Sequence, residues 1–116
     1  MNDNLRLKAG TIKHLQKYVA EKIKQRGFED ETLHERLILL VEEIGELASA
    51  CRKISGMNVD AGRNIKYSVG EEIADVINLV FAVGIKLGVD VEKEFFKKES
   101  QIDKRSYKRS TEKHEK

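Results

Sequence analysis

An all-α bundle of four to five helices is the fold this chain predicts, and three observations predict it. Apolar residues recur every three or four positions in four separate stretches, which is the period of a helix packed on one side. Glycines at 27, 56 and 88 stand just past three of those stretches, where helices end. The 116 residues contain no proline, and 36% are charged against 40% apolar, a balance that suits a small helical protein with much exposed charge.

Residues 1–9 have no apolar pattern and read as a frayed start. Thr11 is the expected cap of a first helix, in which Ile12, Leu15, Val19 and Ile23 share a face. Gly27 stops it, with Lys24 and Arg26 in the last turn, where cations suit the helix dipole. Asp30 is the expected cap of a second helix, with Glu31 in its first turn. Leu33, Leu37, Leu40, Ile44, Leu47, Cys51 and Ile54 then form the strongest periodic signal in the chain, up to Gly56. Residues 55–67, with Ser55, Gly56, Asn58, Asp60, Gly62 and Asn64, read as a loop longer than most helix connections.

A third helix is expected from Ser68 to about Leu87, with Gly88 at its end. Val76, Ile77, Leu79, Val80, Phe81, Val83 and Ile85 make it apolar around nearly its whole circumference. Three other helices cannot cover every side of it, so a homo-oligomer, dimer or tetramer, is expected, with this helix or its neighbours at the interface. Aspartate at Phe81 or Val83 would then dissociate or unfold the protein. Asp90 caps a fourth helix that carries Val91, Phe95 and Phe96 and runs to about Arg105. One helical domain therefore spans residues 10–105, and the polar residues 106–116 read as a tail that is disordered alone.

Composition sets further bounds. The net charge of +2 argues for neither nucleic acid nor a membrane surface. A single cysteine, Cys51, excludes an internal disulfide and reads as a small buried hydrophobe. Met1 to Gly10 is polar, unlike a signal peptide, and Val76 to Ile85 is too short to span a bilayer. The expected location is cytoplasmic.

Two acidic motifs carry the chemistry. Glu42-Glu43-Ile44-Gly45-Glu46 lies in the second helix and Glu71-Glu72-Ile73-Ala74-Asp75 in the third. A three-residue step turns a helix by roughly 60° from a full turn, so Glu43 with Glu46, and Glu72 with Asp75, share a side. On a wheel centred at Leu40, Glu43 lies roughly 60° and Glu46 roughly 120° to the same side, bordering the apolar stripe, whereas Glu42 lies nearly opposite it. Packed together, the helices would aim four carboxylates at one point, a set that favours a hard cation, Mg²⁺ or Mn²⁺. The competing reading is a solvated or salt-bridged face. The dipole favours Glu71 and Glu72 in a first turn, and Arg36, Arg52 and Lys53 are near enough in sequence to neutralise the others.

The stretch Leu37 to Ala48, a loop, and then Gly70 to Val76 resembles the MazG-like all-α nucleoside triphosphate pyrophosphohydrolases, whose signature is EExxE followed by ExxD on consecutive helices. The likeness is specific at the two motifs and extends in helix order from about Thr11 to Arg105. It implies that Glu43, Glu46, Glu72 and Asp75 bind Mg²⁺, or Mn²⁺ in its place, that Glu43 and Glu46 are catalytic, and that Glu42 fills the first position of the motif. It also implies hydrolysis of a nucleoside triphosphate to the monophosphate and pyrophosphate, as nucleotide-pool housekeeping. Phosphoribosyl-ATP is an alternative substrate within that fold. A non-catalytic helical dimerisation module is the alternative of another class.

Candidate phosphate and substrate contacts are Lys53, Asn78, Lys98 and Arg105, with Arg63 and Lys66 in the long loop. Relatives often carry a basic pattern with an asparagine on the last helix, and here Asp103 stands in that region. Two weaker signals do not add a function. Glu31 and His34 have the E-x-x-H spacing of di-iron bundles, but the chain has no second such pair. The basic tail from Lys104 holds Tyr107 but also Glu112 and Glu115, which suits a solvated tail better than a nucleic-acid contact.

Overall fold

The computed structural model describes residues 8–56, 58 and 68–108. They form four helices, α1 (Thr11–Gln25), α2 (Leu33–Ile54), α3 (Val69–Lys86) and α4 (Val91–Asp103), with no strand among the described residues. No helix among them is long and apolar enough to cross a membrane. Residues 1–7 of the expected frayed start and the tail beyond Lys108 lie outside the described residues, as do Arg63 and Lys66.

Capping explains where three of the helices begin. Ser68 and Asp90 accept from Glu71 N and Lys93 N, at 3.2 and 3.1 Å, as their positions predict. The cap of α2 is Thr32 rather than Asp30. Thr32 Oγ1 accepts from Glu35 N at 3.1 Å, and the Glu35 carboxylate accepts from Thr32 N at 2.8 Å. Asp30 could not close this reciprocal box, because Leu33, three residues on, has no acceptor. Thr11 is not a cap either: Gly10 holds the N-cap position with φ 94° and no side-chain bond. The free amides there are satisfied from α4, since Glu92 Oε1 accepts from both Gly10 N at 2.9 Å and Lys13 N at 3.0 Å.

At their C-terminal ends α1 and α3 close in the same way. Gly27 and Gly88 adopt φ 80° and 69°. The following residues reach back, Phe28 N to Ile23 O and Val89 N to Gly84 O, both at 2.9 Å. Only glycine enters that left-handed region without strain, which is why α1 and α3 stop there. Gln16 then ties the α3–α4 turn to α1. Its Nε2 donates to Val89 O at 2.8 Å and its Oε1 accepts from Val91 N at 3.0 Å.

Helix α3 is the centre of the fold. It packs against α2 on one side and α1 on the other, and α4 packs against α1. Among the described residues Val19, Ala50, Phe81 and Ala82 are the buried apolar side chains, with Gly84 buried beside them. A Cβ on Gly84 would lie 3.0 Å from Val91 Cγ2, so the glycine permits the close approach of α4's first residue. Helices α2 and α3 run antiparallel: Arg36 reaches Ala82 O at one end, and Glu46 meets Glu72 toward the other.

The apolar stripe of α2 does not sit where its periodicity points. The flank turned to α3 runs through Arg36, Leu39, Glu43 and Ala50, roughly 60° to 70° from the stripe's centre. Leu37, Val41 and Ile44 stay open at 41%, 67% and 49% exposure, and Cys51 is exposed with them rather than buried. On α3, Ile73, Ile77 and Val80 are also open, whereas Phe81, expected at an interface, lies in this chain's own core. Both open stripes turn the same way from the α2–α3 contact, and in an antiparallel pair this places them on one side. The reason is a missing second layer: α1 covers the opposite side of α3, and no described element covers this one.

Candidate metal centre

The rotation of α2 that strands half its apolar stripe turns its acidic flank inward. Glu43 and Glu46 on α2 and Glu72 on α3 each place a carboxylate oxygen within 4.8 Å of the others. Glu43 and Glu72 are half-buried, and Glu46 is exposed. Glu43 Oε2 and Glu72 Oε2 are shut off from solvent without a hydrogen-bond partner. Buried carboxylate oxygens are costly to leave unpaired, a cost that a further donor or a cation would relieve. Among the described residues Arg36 pairs with Glu31, and no salt bridge reaches Glu43, Glu46 or Glu72.

Electrostatics report the same crowding. The Glu43 carboxyl is pushed above the usual carboxylate range, first by loss of solvent, then by the charges of Glu46 and Asp75, and last by the close approach and charge of the Glu72 carboxyl. Three carboxylates from two helices offer only oxygen, the donor set of Mg²⁺ or Mn²⁺ rather than of softer metals. They can hold such an ion, and the unpaired inner oxygens fit that use.

Beside the cluster a cavity of about 480 Å³ opens between α1, α2 and α3. Glu43, Asp75 and Asn78 mark its polar edge, and Val19, Leu39 and Leu79 supply apolar wall. The connection from α1 to α2 closes the far side with Arg26, Phe28 and Glu31. The volume is that of an ordinary small-molecule site. The open stripes of α2 and α3 lie across the helix pair from it, so cavity and apolar face do not compete.

The expected site residues divide as follows. Glu43, Glu46 and Glu72 converge, while Asp75 stands one turn along α3, outside the triplet but at the cavity edge beside Glu43. Asn78 reaches the same cavity. Glu42 lies on another face, lining a shallow hollow with His34, Leu37, Ile38 and Val41. Lys53 is exposed near the end of α2. Lys98 and Arg105 are exposed on and just after α4, and neither lines the cavity. Glu31 and His34 also part: Glu31 Oε1 lies 4.0 Å from Arg36 Nε at the cavity, while His34 faces the hollow.

Sequence reasoning named Arg36 only as a possible neutraliser of the acidic residues, whereas it is 2% exposed, a buried charge in the core of the described residues. A signal was present. Arg36 precedes Glu43 by seven residues, within roughly 20° on the wheel, so it had to share the glutamate's flank. Arg26 was read as a last-turn cation and Phe28 drew no reading, because the bend that brings them to the cavity is tertiary. No protein-family model, curated protein or solved structure matches this chain.

Proposed function

We propose that this protein is a Mg²⁺-dependent pyrophosphohydrolase of nucleoside triphosphates, of the MazG-like all-α type, working as a homo-oligomer. The observation that carries the reading is the convergence of Glu43, Glu46 and Glu72 from two helices, with two inner oxygens buried and unpaired. Asp75 and the cavity beside it extend that site in the direction a nucleotide needs.

The chain's own residues account for the parts of the reaction. Water attacks the α-phosphorus; the new oxygen–phosphorus bond forms as the bond to the bridging oxygen of the β-phosphate breaks, leaving a monophosphate and pyrophosphate. A divalent cation held by Glu43, Glu46, Glu72 and Asp75 would neutralise phosphate charge and orient the water. One of the glutamates would take the water's proton, and the exposure of Glu46 supports giving it that role. The apolar walls accept the uncharged nucleoside end, with Asn78 as an amide that both donates and accepts.

The homo-oligomer reading rests on Leu37, Val41 and Ile44 of α2 and Ile73, Ile77 and Val80 of α3, which leave an apolar face uncovered. A second copy presenting the same face would bury both. This face also keeps the dimerisation-module reading in view, and magnesium separates the two. As an enzyme, the protein should melt at a higher temperature with Mg²⁺ than in chelator.

The deciding experiment is a screen of nucleoside triphosphates scored for pyrophosphate release with Mg²⁺. At least one triphosphate should be cleaved. Glu46→Gln should fold normally and lose activity by at least about 100-fold, since even partners of metal ligands are worth roughly 10- to 100-fold. Undiminished turnover in that variant, or no cleavage together with no thermal shift, would refute the reading.

A further inference from the structure

Arg36 does not line the cavity, yet it is hydrogen-bonded to two residues that do and forms a long ion pair with a third. Its Nη1 donates to Ala82 O at 2.7 Å and its Nη2 to Phe28 O at 3.3 Å, and its Nε faces Glu31 Oε1 at 4.0 Å. Ala82 is on α3, and Phe28 and Glu31 are in the connection between α1 and α2, so one side chain spans the cavity's back corner. That corner needs a brace. Helix α1 packs on α3 and α4, and the connection from Gly27 to Asp30 is exposed throughout.

A buried guanidinium is a poor choice for stability alone, because an apolar side chain of similar volume fills a core as well. What it adds is direction: a planar fork with donors at set angles, which neither lysine nor an apolar residue reproduces. Near the C-terminal end of α3 the carbonyls carry the negative end of the helix dipole, which favours a cation there.

We propose that Arg36 is a positioning residue that sets the width of this cavity and thereby the fit of the substrate's nucleoside end. The proposal rests on the pyrophosphohydrolase reading. It assigns Arg36 no contact with phosphate, metal or the reacting atoms.

The test compares wild type with Arg36→Lys, Glu31→Gln, Phe28→Ala and the Arg36→Lys/Phe28→Ala double variant. Mn²⁺ binding is measured by calorimetry. Affinities follow for an α,β-imido nucleoside triphosphate, which is not cleaved, and for inorganic tripolyphosphate, which has no nucleoside. Steady-state kinetics accompany both. In Arg36→Lys the analogue's Kd and the KM should rise about tenfold, with kcat within about twofold and Mn²⁺ and tripolyphosphate binding unchanged. Glu31→Gln should move the same quantities less. The double variant should lose little more than Phe28→Ala alone, because Arg36 acts through that wall.

Equal losses for analogue and tripolyphosphate, or an unchanged analogue Kd, would overturn the proposal. Should Arg36→Lys fail to fold, Glu31→Gln decides by the same comparison. Wild type that binds neither Mn²⁺ nor the analogue would remove the pyrophosphohydrolase reading, and the proposal with it. Wild type that binds both, beside an unaffected variant, would remove the proposal alone.

Discussion

Glu43 shows how a single residue can be stabilising or destabilising according to what is bound. Its inner oxygen is buried without a partner, and its carboxyl is pushed up by lost solvent and by neighbouring acids. Without a cation, Glu43→Gln should therefore raise the melting temperature in chelator by a few degrees, because the amide removes charge repulsion and adds a donor. With Mg²⁺ the order should reverse, as wild type gains and the variant does not. A variant that melts below wild type in chelator would contradict the crowding argument. Two residues away, Gly45 sits mid-helix with open space where a Cβ would go. Gly45→Ala should add about 0.5–1 kcal/mol of stability by denaturant titration, with turnover unchanged, because alanine loses less backbone entropy in a helix.

Among the elements, α2 begins on a reciprocal box that titrates. The Glu35 carboxylate accepts from Thr32 N, and that backbone bond, followed by the Thr32 hydroxyl, holds its pKa below the usual glutamate range. A carboxylate with a depressed folded pKa stabilises the fold above its unfolded pKa and loses that contribution as pH falls through the folded one. Glu35→Ala should thus melt below wild type at neutral pH, and the gap should narrow on acidification below the ordinary glutamate range. A gap that stays constant with pH would show that the carboxylate charge plays no part in the cap. Helix α1 is held differently, by Glu92 from α4, so Glu92→Ala should fray the start of α1 and speed amide exchange at Gly10 and Lys13.

For the whole molecule, the uncovered face of α2 and α3 is the feature that demands an explanation. The face is formed by side chains that leave the core of a single chain intact, and this gives a clean test of assembly. Ile77→Asp should dissociate an oligomer into a folded chain of 13.3 kDa, since Ile77 is 45% exposed, whereas Phe81→Asp should unfold it, since Phe81 is 7% exposed. Light scattering with circular dichroism separates the outcomes. Wild type that is already a stable monomer at micromolar concentration would refute the homo-oligomer reading.

The sequence by itself determined the four helices, the Asp90 cap, the start of α3 at Ser68, the glycine stops and the acidic residues worth examining. These are local matters: period, cap chemistry and left-handed glycine act within a few residues. Gly27 ends α1 wherever that helix packs, and Ser68 and Asp90 cap their helices unaided. Tertiary structure decided which flank of α2 is the inner one. Periodicity locates an apolar stripe but cannot say how much of it one neighbour covers, and α3 took the flank of Arg36 and Glu43 while leaving Leu37, Val41 and Ile44 open. That one rotation brings Glu43, Glu46 and Glu72 together, exposes Cys51, and buries an arginine. Glu92 capping α1 across the fold, and Arg36 reaching both Phe28 and Ala82, join residues far apart in the chain, and no spacing within a single helix encodes such pairs.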